Sequence, residues 1–180
     1  TTHTPPSQRL RSLVGSEMCI RDSSHLLANL IRVAEDPTLS MNITGFEWPT
    51  KDGTGVRDYV HVWDLGEAHV AALESFESIF KSESKFHKIN VGGGNPTTVM
   101  EFIDTFEEVY GNEITTVKAP PRDGDTAGAF ANIEKAAKLL NWTPRMSIEQ
   151  AIAEAIKWHR KINHFFQQLV LRLLHLRYKV

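Results

Sequence analysis

The chain has 180 residues, 41% of them hydrophobic, with a formal charge of −2; that is enough for one domain with a sizeable core, and the balance of charge gives no electrostatic reason to expect nucleic acid or an anionic membrane as partner. A single cysteine, Cys19, excludes an internal disulfide and fits a reducing compartment such as the cytoplasm. No apolar run reaches bilayer length, no hydrophobic signal core stands near Thr1, and the eight histidines have no metal-ligand spacing.

Residues 1–23 show neither helical nor strand periodicity, carry Pro5-Pro6 and several serines, and read as an unstructured leader. A helix is expected from Ser24, its N-cap, with Leu26, Leu27, Leu30, Ile31 and Ala34 on one apolar face. Met41 to Thr44 reads as a short strand stopped by Gly45.

The stretch from Trp48 to His69 is the most informative. Asp52-Gly53 and Gly55 are turn residues, Val56 to Val62 reads as a strand rich in β-branched and aromatic residues, and Asp64 with Glu67 reads as a capping box opening a helix. Leu65, Ala68, Ala72, Phe76 and Ile79 would form its buried stripe. This arrangement sets Arg57 beside a glycine turn, where an anion can approach both backbone amides and a guanidinium whose planar fork suits phosphate oxygens. His61, Glu67 and His69 are close in sequence but fall on different elements, so they read as packing or surface.

His87 to Val91 reads as a strand, followed by Gly92-Gly-Gly-Asn-Pro-Thr-Thr and a helix from Val99 to Tyr110 capped by Thr98 with Glu101. Gly92, Gly94 and Thr97 come near the spacing of a dinucleotide fingerprint. Thr97 in place of a glycine, Pro96, and a next strand, Glu113 to Val117, that ends at Lys118 rather than an acid argue for a structural turn instead.

In Ala119-Pro-Pro-Arg-Asp-Gly-Asp, the prolines fix an extended approach and Gly124 allows a turn that presents Arg122 and Asp125 toward the cavity of Arg57. Taken alone it reads as an ordinary loop. Asn132 is expected to cap a helix to Leu140, and Ser147 with Gln150 to open another that buries Ile148, Ile152, Ala155, Ile156 and His159. Phe165-Phe166, Leu169-Val170 and Leu173-Leu174 give the last segment a helical apolar stripe too short to span a membrane.

The run Asp52-Gly-Thr-Gly-Val-Arg-Asp-Tyr-Val-His-Val-Trp-Asp-Leu closely resembles the UDP-glucose 4-epimerases, within the extended short-chain dehydrogenase group of NAD-dependent epimerases and dehydratases. The resemblance covers 24–161 and implies an α/β fold: the C-terminal substrate-binding lobe of an extended Rossmann-type epimerase, with the N-terminal NAD-binding sheet largely missing. It implies that Arg57 and Arg122 hold the diphosphate of UDP-glucose or UDP-galactose and that Asp125 lies near the ribose. It further implies that His25 and Leu26 meet the uracil-ribose end, that Asn42, Ile43 and Thr44 run along the nucleotide, and that Ala129 lines the sugar pocket, its small side chain leaving room for N-acetylated sugars. Ala28 departs from the pattern, where a proline is usual, and His25 replaces a common asparagine.

The family requires NAD and a tyrosine followed four residues later by a lysine; here Tyr59 is followed by Trp63, Tyr110 by Ile114, and Tyr178 lies too near the end. The expectation is therefore a fragment that binds substrate without catalysing. Residues 1–23, which include a string resembling translated adapter sequence, and the tail 162–180 fall outside the resemblance and read as additions. A UDP-sugar decarboxylase or dehydratase, and a non-catalytic nucleotide-sugar-binding module, are the alternatives, and a homodimeric parent is left open.

Overall fold

The computed structural model describes residues 25–79 and 86–177. In chain order the elements are α1 (Leu26–Glu35), β1 (Met41–Thr44), β2 (Val56–Arg57), α2 (Val62–Glu74), α3 (Phe76–Ile79), β3 (Thr97–Thr98), α4 (Val99–Tyr110), β4 (Thr116–Ala119), α5 (Glu134–Leu140) and α6 (Ile148–Arg177). β1 pairs with β4 in parallel, Met41 opposite Thr116, and β2 pairs antiparallel with β3, Arg57 opposite Thr97. The fold class is α/β, as the sequence implies.

Helical periodicity builds the main core. Leu30, Ile31 and Val33 of α1, Phe102, Ile103 and Phe106 of α4, and Ile152 and Ile156 of α6 bury against one another with Ile43 and Ile114. Each such side chain contributes roughly 1.5–3 kcal/mol on burial. A second cluster joins Ala68 of α2, Ala136 and Leu140 of α5, and Trp142.

The ends of α4 follow the rules that its sequence states. Thr98 accepts from the Glu101 amide while the Glu101 side chain accepts from the Thr98 amide, and Gly111 closes the helix at φ 90°. Ser147 and Gln150 form the same reciprocal pair ahead of α6.

Other boundaries differ. The strand expected over 56–62 stops at Arg57, because the Asp58 carboxylate turns away to accept from the amides of Gly94 (3.0 Å) and Ala131 (2.8 Å). His61, not Asp64, caps α2, its Nδ1 accepting from the Trp63 amide. Asp64 is only 1% exposed and accepts from the amides of Arg145 and Met146, while Glu67 pairs with Arg145 at 2.6 Å. An acid three residues before an acid imitates a capping box, but here both carboxylates serve the approach to α6.

Phe76 is 58% exposed rather than part of a buried stripe. The segment 87–91 has no strand pairing among the described residues, although Ile89 and Val91 pack on the second cluster. β4 begins at Thr116 and contains Lys118, because the partners of β1 run from Thr116 to Ala119. His25 is the N-cap residue of α1, with no side-chain cap bond, and Ser24 lies outside the described residues, as do 1–23. α6 continues as one helix through the boundary expected at 161/162.

Candidate functional site

A cleft of about 190 Å³ opens between β1, the start of β2, the first turn of α1 and the loop that precedes α5. Arg57 and Arg122 both line it, with Asp125 beside them. From α1 and β1 come Leu26, Asn42, Ile43 and Thr44. His25 and Ala129 do not line this cleft, and both are exposed.

Backbone geometry brings the two arginines together. The Val56 amide donates to the Ala127 carbonyl at 2.7 Å, and Val56 bridges Gly128 in parallel. The strand carrying Arg57 is thereby fixed to the loop carrying Arg122. That loop is held by a reciprocal pair, the Arg122 amide donating to the Asp125 carboxylate and the Asp125 amide to the Arg122 carbonyl, each at 3.0 Å. Gly124 sits at φ 82° in this turn, a conformation that other residues adopt only with strain.

The guanidinium of Arg57 needs its glycine neighbours. A Cβ on Gly128, at φ 110°, would stand 2.9 Å from Arg57 Nη1, and one on Gly55 would stand 3.2 Å away. Nη1 donates to the Val56 carbonyl at 2.7 Å, leaving the rest of the fork available. The cleft is thus lined by two cations, an arrangement suited to a diphosphate through charge-assisted hydrogen bonds.

Tyr59 lies two residues beyond Arg57 and also lines the cleft. Its ring packs against Phe102 at 4.3 Å between centroids. Burial pushes its phenol up to about 12, against the opposing pull of Arg57. It keeps its proton at neutral pH, which suits a hydrogen-bond donor rather than a general base.

The glycine cluster at 92–94 does not fit a cofactor cradle. A Cβ on Gly92 would fall onto Asp58 Oδ2, and one on Gly93 onto the Tyr59 carbonyl. Those glycines admit the protein's own carboxylate and backbone, so no room is left for a pyrophosphate. Among the described residues no group of three or more His, Cys, Asp or Glu side chains is placed to hold a metal ion, and no helix is long and apolar enough to cross a membrane.

Gly55 of the expected glycine turn also lines the cleft, and Trp48, Tyr59, Val99, Met41 and Thr126, which were not read as site residues from the sequence, complete it. Tyr59 had a signal, since its i+2 spacing from Arg57 puts both on one side of an extended chain. Thr126, one residue past Asp125, had none.

The architecture is α/β of the Rossmann-like epimerase type. The family model described as NAD dependent epimerase/dehydratase family matches residues 7–92, beginning inside the segment read as a leader. A UDP-glucose 4-epimerase of Oryza sativa subsp. japonica is 36% identical over 138 residues, 77% of this chain and 36% of the relative. One from Lacticaseibacillus casei is 36% identical over 142 residues, 78% of this chain and 41% of the relative. The crystal structure of a UDP-glucose 4-epimerase from Stenotrophomonas maltophila with bound NAD and formylated UDP-arabinopyranose superposes with a TM-score of 0.71 at 34% identity, covering 78% of this chain and 41% of that one. Residues 7–92 match the NAD dependent epimerase/dehydratase family, and the chain spans about two fifths of the length of the UDP-glucose 4-epimerases to which it is similar.

Proposed function

We propose that the chain is the nucleotide-sugar-binding part of a UDP-glucose 4-epimerase, holding UDP-glucose or UDP-galactose by its diphosphate while the reaction is carried out with groups outside it. The observation that carries this reading is the presence of Arg57 and Arg122 in one cleft, fixed to each other through Val56 and Ala127. Each charge-assisted hydrogen bond to a phosphate contributes on the order of 1.5–3 kcal/mol, and the planar forks set the ligand's orientation. An epimerase needs such a grip, because the sugar must turn while its nucleotide stays held.

NAD, when bound in the whole enzyme, supplies the hydride chemistry at the sugar's C4. The described residues of this chain support no such role: the glycine turn at 92–94 is filled by Asp58, and Tyr59 is a protonated donor with Trp63 four residues on. The chain alone is therefore expected to bind a UDP-sugar and not to epimerise it. A reducing, cytoplasmic setting accords with its lone cysteine.

The test is a titration of the isotope-labelled full chain with UDP-glucose, followed by amide NMR. Shifts should concentrate in β1, at Arg57 and across 122–126, and should shrink in both Arg57→Gln and Arg122→Gln. A wild-type spectrum unmoved by millimolar UDP-glucose, or one whose shifts survive both substitutions, would defeat the proposal.

A further inference from the structure

We infer that Trp48 is the platform on which the nucleobase stacks, a reading that rests on the diphosphate site and extends it to the other end of the ligand. A nucleoside diphosphate gripped by Arg57 and Arg122 must lay its base along one of the remaining walls. Those walls carry two aromatic side chains, Trp48 and Tyr59. The Tyr59 ring is committed to Phe102, and its position two residues from Arg57 puts it at the phosphate end. Trp48 lies instead against Gly45, just past the end of β1, and lines the same cleft.

The fold fixes this indole in place. Gly45 ends β1 at φ 78°, and a Cβ there would fall onto Trp48 Nε1 and stand 3.2 Å from Cδ1. The indole edge thus lies directly on the glycine, in space that any other residue would occupy. The Trp48 amide donates to the Gly53 carbonyl at 3.0 Å, and the Trp48 carbonyl accepts from the Thr50 amide at 2.7 Å, so its backbone is pinned on both sides. A pre-set aromatic ring stacks a base at little entropic cost, and tryptophan offers the largest face for it. In the same cleft, the exposed side chain of Asn42 offers an amide that both donates and accepts, which suits the polar edge of a base.

The experiment titrates the full chain with UDP and, separately, with inorganic pyrophosphate, comparing wild type, Trp48→Ala and Trp48→Phe. Trp48→Ala is expected to weaken UDP by about tenfold, the size of one lost base-aromatic stack, and to leave pyrophosphate affinity unchanged, while Trp48→Phe retains most of the UDP affinity. Equal UDP binding by Trp48→Ala and wild type overturns the inference with the diphosphate reading intact. A parallel loss of UDP and pyrophosphate in both variants overturns it as well, marking Trp48 as a prop of the cleft. Failure of wild type to bind either ligand overturns both readings.

Discussion

Val56 donates its amide to the carbonyl of Ala127 at 2.7 Å, and with the Val56–Gly128 bridge this bond holds the strand of Arg57 against the loop of Arg122. The two halves of the proposed diphosphate site, separated in sequence by the whole of α2 to β4, are neighbours because of it. Substitutions that disturb this junction should act on binding even where they touch no ligand.

Gly128→Ala tests the junction directly. The new methyl would fall onto the Val56 carbonyl and crowd Arg57 Nη1, at a backbone angle already unfavourable to alanine. A loss of about 1–3 kcal/mol in urea unfolding is expected, together with weakened UDP-glucose binding. Gly124→Ala, at φ 82° but facing open space, should cost about 1–2 kcal/mol through strain alone. Equal stability losses with binding unchanged in Gly128→Ala would show that the glycine does not position the arginine.

Arg57→Lys keeps the charge and removes the fork. Lysine is a point charge and cannot make two parallel bonds to a phosphate. UDP-glucose affinity should fall by about 1.5 kcal/mol or more, measured calorimetrically, while the unfolding midpoint stays close to wild type, since Arg57 is exposed.

Asp58→Ala leaves the amides of Gly94 and Ala131 without their acceptor. Each unsatisfied donor costs about 1–3 kcal/mol when buried, and both are part-buried, so a combined loss of about 2–4 kcal/mol in denaturant unfolding is expected. Asp58→Asn keeps one oxygen and should cost less. A neutral Asp58→Ala would remove the carboxylate as the clamp between 58, 94 and 131.

Acid should loosen the β2–β3 corner. Burial raises the Asp52 carboxyl, but hydrogen bonds from Thr54 and Thr98 outweigh it and hold it below its ordinary 3.8. The side-chain bond from Lys51, followed by the Thr98 amide, holds Glu101 below its ordinary 4.5. Because both folded values lie below the unfolded ones, this stability is fully present above about pH 5 and is lost as pH falls through the folded values. Thermal melts from pH 6 to 3 should show a steeper loss in wild type than in Asp52→Asn.

Legibility followed locality. The Thr98/Glu101 box and the Ser147/Gln150 pair depend on residues three apart, and both stand as the sequence states them. The end of β2 at Arg57 was illegible, because what stops it is an acceptor seeking amides 36 and 73 residues away. Asp64 misled for a similar reason: its partners at 145 and 146 lie 81 and 82 residues on, while its neighbour Glu67 imitates a cap. Within the cleft, Arg57 and Arg122 were visible through their motifs, whereas Trp48 was given no role because its place against Gly45 depends on tertiary packing.

These long reaches also set an order of events for the growing polypeptide. α1 and α4 close on contacts within a turn, whereas the Asp58 clamp cannot form until Ala131 has emerged, and β1 must wait for β4. Slow, distant closures of this kind come after the helices. A nascent chain halted before that point would carry Arg57 with no partner loop beside it, so the proposed diphosphate grip would form only after that loop has emerged.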